Sequence, residues 1–130
     1  MRLKKMLDLV PKLALAGAVI CALVIAVLSL LPGNDLPSQT LNDKLNHFIA
    51  YGVLMGLVVL ARGRMALIAA MGLVIAYGLA LEGLQGVMPY GRSASWLDVL
   101  ANTGGVLIGA VLGLGTDQLL RHLGRPAGGG

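Results

Sequence analysis

The sequence predicts an all-α fold: a membrane-embedded bundle of four transmembrane helices with both termini on the cytoplasmic side. Three observations predict it. Apolar residues make up 57% of the 130 residues and charged residues only 12%, where an ordinary soluble domain carries about a quarter charged residues. The apolar residues fall into four long runs divided by short polar segments. The basic residues crowd the ends of those runs mainly on one side. This composition excludes a disordered chain, which combines low hydrophobicity with high charge. The single cysteine, Cys21, excludes an internal disulfide and any multi-cysteine zinc or iron–sulfur site. A net charge of +4 and a pI near 9.6 would suit nucleic acid, but the charges flank apolar runs and report topology instead.

The first run, 13–31, is 19 residues without a charge, close to the roughly 20 that a spanning helix needs. A signal peptide has a shorter apolar region and then a small-residue cleavage site; Leu30-Leu31-Pro32-Gly33-Asn34-Asp35 is a poor one. The run reads as a retained helix, opened by Pro11 and stopped by Pro32-Gly33. The second span covers 45–61, with Asn46 and His47 at its start and the basic turn Arg62-Gly63-Arg64 behind it. The third covers 65–88 and takes in Tyr77, Glu82 and Gln85 before Pro89. The fourth covers 97–120, with Asp98 and Asn102 in its first two turns. One domain, 1–122, holds all four spans, and 123–130 reads as a disordered tail. No internal repeat is detectable.

Four spans put both termini and the Arg62/Arg64 turn on one side. That side carries Arg2, Lys4, Lys5, Lys12, Arg62, Arg64, Arg121 and Arg125; the other carries only Lys44 and Arg92. The excess marks the first side as cytoplasmic. Small residues recur every four positions: Ala14, Ala18, Ala22 and Ala26; Gly52 and Gly56; Gly72, Ala76 and Ala80; Gly105, Gly109 and Gly113. Each set shares a helical face, and small faces are where membrane helices pack, within a chain or between copies in a homo-oligomer.

The remaining polar residues gather at the extracytoplasmic ends of the second to fourth helices. Asp43, His47 and Tyr51 stack on one face, with Lys44 and Asn46 beside them. Glu82 and Gln85 pair at i, i+3, and Asp98 and Asn102 at i, i+4, on the stripe that Gly105, Gly109 and Gly113 continue. The close-packing face of the fourth helix thus carries the polar pair, which directs it into the bundle. Ionisable groups in a membrane are costly and face the interior or water. Asp43, His47, Glu82, Arg92, Asp98 and Asn102 are therefore expected to converge on one pocket. Three carboxylates against Lys44 and Arg92 leave one negative charge in excess, which a proton on an acid or on His47 would balance.

Each residue also has a plainer reading. Thr40-x-x-Asp43 and Ser95-x-x-Asp98 fit capping boxes. His47 alone is more often a structural histidine. Glu82 fits a solvated group just past a helix end, and Arg92 a loop charge on a lipid phosphate. Tyr90 and Trp96 read as interface anchors and Tyr77 as a packed core tyrosine. Four chemistries fit the group. A metal would use His47 with two carboxylates, but no HExxH-like spacing supports it, so neither metal nor cofactor is expected. The carboxylates and His47 suit acid–base work on a lipid-linked substrate. Arg92 with Lys44 suits a phosphate. The network would also serve simply to tie helices together.

Asp43-Lys44-x-x-His47-x-x-x-Tyr51, then Glu82-x-x-Gln85, then Pro89-x-x-Arg92-x-x-x-x-x-Asp98-x-x-x-Asn102-x-x-Gly105 resembles the VanZ-like family of small polytopic membrane proteins. The motif-bearing stretch runs from 43 to 113, just over half of the chain. The family is named for an accessory membrane protein associated with resistance to the glycopeptide teicoplanin. The resemblance implies the fold, a site at these residues and a link to the cell envelope.

Three functions follow as expectations. The first is an envelope-associated binding or accessory protein, whose outward pocket takes a lipid head group, a lipid-linked cell-wall precursor or a glycopeptide. The second is an enzyme acting on such a substrate, and the third a structural scaffold. Membrane lipids are expected partners and nucleic acid is not. No nucleophile elbow, phosphate-binding glycine loop or complete metal motif is present.

Overall fold

A computed structural model describes residues 2–32, 41–88 and 93–124, the side chain of Leu41 excepted. Four α-helices follow one another: α1 (Arg2–Leu30), α2 (Leu41–Arg62), α3 (Leu67–Val87) and α4 (Trp96–Gly124), with a short 3-10 turn at Arg64–Ala66 between α2 and α3. There is no strand among the described residues. All four helices are long and apolar enough to cross a membrane. Much of the apolar surface points outward, including Leu13, Ile20, Leu23, Ile68, Leu73, Val111 and Leu112. Water-soluble monomers do not expose apolar surface on this scale; in a bilayer it is the lipid-facing side. The protein is a multi-pass membrane protein.

The helices exceed the predicted spans. α1 starts at Arg2, and Pro11 lies inside it rather than at its first turn. The residues ahead of Pro11 include Arg, Lys, Leu and Met, all strong helix formers. The helix therefore carries across the proline and loses one backbone hydrogen bond there. α4 runs on to Gly124, with Arg121 and His122 in its last turn, where positive charge suits the helix dipole. Residues 125–130, expected to be a disordered tail, lie outside the described residues.

Helices α2 and α4 share the largest interface, and glycine makes it. A Cβ at Gly105 would collide with the carbonyl oxygen of Phe48, and one at Gly109 with that of Gly52. A Cβ at Gly113 would stand 2.9 Å from Val59 Cβ and 3.2 Å from Gly56 Cα. Gly52, Gly56, Gly105, Gly109 and Gly113 thus form the expected close-packed seam. Around it lie the buried side chains of Tyr51, Leu54, Met55, Val59, Val106 and Ala110. The alanine stripe of α1 also faces inward, Ala14 and Ala18 being buried.

The small-residue stripe of α3 behaves otherwise. Gly72, Ala76 and Ala80 are exposed, and nothing lies within 4 Å of a Cβ placed on Gly72. The packed face is Ala70, Val74, Gly78, Glu82 and Gln85, a stripe of the same period displaced by two residues. It faces inward because it alone carries the buried polar pair; Gly72, Ala76 and Ala80 are apolar and lose nothing in lipid.

The turn after α2 depends on Gly63, whose φ of 75° is the left-handed value that ends many helices. Its N–H closes α2 onto Val59 O at 2.7 Å. A Cβ on Gly63 would lie 3.3 Å from an Arg121 guanidinium nitrogen, and one on Gly124 would lie 2.9 Å from Leu7. The start of α1, the α2–α3 turn and the end of α4 therefore share one end of the bundle. The starts of α2 and α4 and the end of α3 share the other.

Candidate functional site

At that second end, the first turns of α2 and α4 bring their polar faces together. Asp43, Lys44 and His47 occupy one turn of α2; Asp98 and Asn102 occupy the first turns of α4. The glycine seam lies one to three turns deeper on the same faces, so these side chains are held at short range. Lys44 Nζ donates to Asp98 Oδ1 and to Ser95 Oγ at 3.4 Å, and lies 3.7 Å from Asp43 Oδ2. His47 Nδ1 lies 3.0 Å from Asn102 Oδ1. The other ring nitrogen, Nε2, lies 4.0 Å from Asp43 Oδ1 and 3.8 Å from Asp98 Oδ2. One lysine and one histidine therefore sit between two carboxylates.

Burial is graded across the cluster. The Asp98 side chain is 3% exposed, His47 12%, and Lys44 and Asp43 21% and 22%. Asn102 is buried. The cluster is closed toward the bundle core and open at its rim.

The two α3 residues do different work. Glu82 is buried rather than solvated beyond a helix end. Its Oε2 accepts the backbone N–H of Ser95 at 3.0 Å. In the expected capping box Asp98 would take that N–H. Instead the Asp98 carboxylate turns to Lys44, and a glutamate from another helix completes the start of α4. Ser95 O accepts the backbone N–H groups of Asp98 and Val99 at 3.0 and 3.3 Å. Gln85 points away from the cluster: its Nε2 donates to Ser29 O of α1 at 2.7 Å, a helix tie.

Tyr51 shares the stripe of Asp43 and His47 but lies one turn deeper. It is 2% exposed, with its ring centroid 6.5 Å from that of Tyr77, and belongs to the core. Tyr77 packs against that core and donates its hydroxyl proton to Ala22 O. Trp96 is exposed, as an interface anchor would be. Asn46 is exposed and stands off the cluster. Pro89, Tyr90 and Arg92 lie outside the described residues, as does Thr40.

The sequence marks nine site candidates: Asp43, Lys44, His47, Tyr51, Glu82, Gln85, Arg92, Asp98 and Asn102. Five of them, Asp43, Lys44, His47, Asp98 and Asn102, are linked at this end of α2 and α4. Ser95 joins them through Lys44 and links them to Glu82. Nothing in its local sequence signals that role, because both partners come from other helices. One donor atom each from Asp43, His47 and Asp98 falls within 4.8 Å of the others. No HExxH-like spacing announces this trio, since it is shared between two helices.

The arrangement offers an ammonium, an imidazole and two carboxylates at the edge of a membrane-spanning bundle. It can hold a polar or charged group by several hydrogen bonds, and it can move a proton through His47.

Compared with curated proteins and with solved structures, the chain matches none. The family model described as VanZ/LLP1 matches residues 19–116. That match runs from within α1 to within α4 and takes in the whole cluster. The chain belongs to the VanZ/LLP1 family.

Proposed function

We propose that this protein is an envelope-associated binding protein of the cytoplasmic membrane. Both termini lie in the cytoplasm, and the α2–α4 cluster opens on the extracytoplasmic face. There it takes the polar head of a membrane lipid, a lipid-linked cell-wall precursor or a glycopeptide. The carrying observation is the grading of burial. A pair serving only to join helices needs no open rim, yet Asp43 and Lys44 keep a fifth of their surface while Asp98 beneath them is 3% exposed. Ionisable groups in a membrane protein are costly, and they commonly mark ligand or ion paths. Family membership supports the envelope setting, and with it a role in teicoplanin resistance.

Lipid-resolved mass spectrometry of the purified protein tests the reading. The wild type is expected to retain a discrete headgroup class, and a folded His47→Gln variant to lose it. Equal lipid retention by both would overturn the proposal. The corresponding phenotype is a change in teicoplanin susceptibility on expression, absent with His47→Gln. Acid–base catalysis on the same substrate class is the second reading; it is favoured by His47 Nε2 facing two carboxylates, and turnover of a retained lipid would establish it.

A further inference from the structure

We infer that the cleft at the basic end of the bundle, between the start of α1 and the end of α4, holds the headgroup of a zwitterionic aminophospholipid, a phosphate ester that carries a primary ammonium. This site goes beyond the α2–α4 cluster and lies at the opposite end of the molecule. The cleft has a volume of about 470 Å³, the scale of a small-molecule site. Lys4 and Asp8 line it from α1, and Asp117 and Arg121 from α4.

Charge selects the occupant. Among the described residues of this end, Arg2, Lys5, Lys12, Arg62 and Arg64 stand outside the cleft, whereas both acids, Asp8 and Asp117, line it. A strongly basic end thus turns neutral in one place. A purely anionic headgroup gains most from the basic rim; a headgroup bearing both signs fits the cleft.

Each charge of such a headgroup has a partner to meet. Asp117 Oδ2 accepts Arg121 Nε–H at 2.8 Å. That bond fixes the guanidinium and leaves its terminal N–H groups, which make no hydrogen bond among the described residues, for a phosphate. Lys4 and Asp8 make no hydrogen bond or ion pair among the described residues. They stand four apart with the lysine first, the weaker order for a helical pair, so neither is committed to the other. Pro11 also lines the cleft and has no N–H to give the carbonyl of Leu7, the residue next to Asp8. A primary ammonium donates three protons, for which the Asp8 carboxylate and Leu7 O are acceptors; a quaternary ammonium donates none. Leu60 and Leu120 give the lining an apolar part, which suits the glycerol and the first carbons of the acyl chains.

Native mass spectrometry of the full chain in detergent tests this, with dioleoyl phosphatidylethanolamine, phosphatidylcholine and phosphatidylglycerol added singly at matched concentrations. The ethanolamine lipid should bind about fivefold tighter than either of the others, the discrimination that one partly exposed ion pair supports. Asp8→Asn should cut its advantage over the choline lipid to below about twofold, and Arg121→Gln should weaken both. Lys12→Gln, outside the cleft, should change neither. The titration is repeated in His47→Gln, so that a headgroup held by the α2–α4 cluster is not counted. The same preference there supports the inference; its disappearance there would assign the lipid to the cluster and overturn it. Equal binding of the ethanolamine and choline lipids overturns it, and so does an advantage that survives Asp8→Asn. Tightest binding of the glycerol lipid would mark only the attraction of a basic end for negative charge, and overturns it as well.

Discussion

At the residue scale, the cluster rests on the Lys44–Asp98 ion pair and the His47–Asn102 contact. Asp98 lies beneath Lys44, so Asp98→Asn leaves an ammonium half-enclosed against a neutral amide. Removing one partner of a buried pair costs several kcal/mol; because Lys44 reaches water, a loss of about 2 kcal/mol is expected here. A double-mutant cycle with Lys44→Met, read by unfolding in detergent, should return a coupling energy above roughly 1 kcal/mol. Additive effects would show that the pair is incidental. Glu82 gives a separate expectation. Glu82→Gln keeps an oxygen for the Ser95 N–H and should be nearly neutral, whereas Glu82→Ala should cost about 1 kcal/mol, as loss of a helix cap does. Faster hydrogen exchange in the first turn of α4 in Glu82→Ala alone would locate the effect. Spacing along the chain makes Asp43 with His47, and Asp98 with Asn102, readable in advance, because i and i+4 share a face. The pairings across helices are not readable that way. Whether His47 meets Asn102 or Asp98, and whether Glu82 meets Ser95, depends on the relative height of two helices, which no local pattern encodes.

At the element scale, that height is set by the glycine seam. Gly105 and Gly109 approach backbone carbonyls of α2 so closely that no side chain fits. Gly109→Ala must push α2 and α4 apart, and overpacking of this kind costs about 1–3 kcal/mol. It should also loosen the Lys44–Asp98 contact above. Gly72→Ala makes the opposite case. Its Cβ meets nothing, and alanine is the better helix former by roughly 0.5–1 kcal/mol, so melting in detergent should be unchanged or higher. If the two substitutions proved equally harmful, the seam would not be what joins α2 and α4. Of the four small-residue stripes in the sequence, period alone distinguishes none. The α4 stripe packs because it continues the polar face of Asp98 and Asn102, and the α3 stripe does not because Glu82 and Gln85 lie on another face. Polar residues, more than small ones, tell which side of a membrane helix turns inward. Pro11 shows the converse limit: proline at the edge of an apolar run reads as a helix start, but the helix formers before it carry α1 through.

At the scale of the whole molecule, hydropathy made four helices legible because a bilayer demands long apolar stretches with their backbone bonds internally satisfied. The architecture puts the start of α1, the Arg62–Arg64 turn and the end of α4 at one end, and the polar cluster at the other. Basic residues dominate the first end, which the positive-inside tendency assigns to the cytoplasm. The functional account needs the cluster on the opposite side, within reach of envelope substrates. Ser93 is exposed beside the start of α4, and His122 is exposed near the end of that helix. In a Cys21→Ala background, single cysteines at these two positions report which end faces out. With a membrane-impermeant maleimide on spheroplasts, the Ser93→Cys variant should label at once and the His122→Cys variant only after permeabilisation. Labelling of the His122→Cys variant on intact spheroplasts, with the Ser93→Cys variant protected, would contradict an outward-facing site.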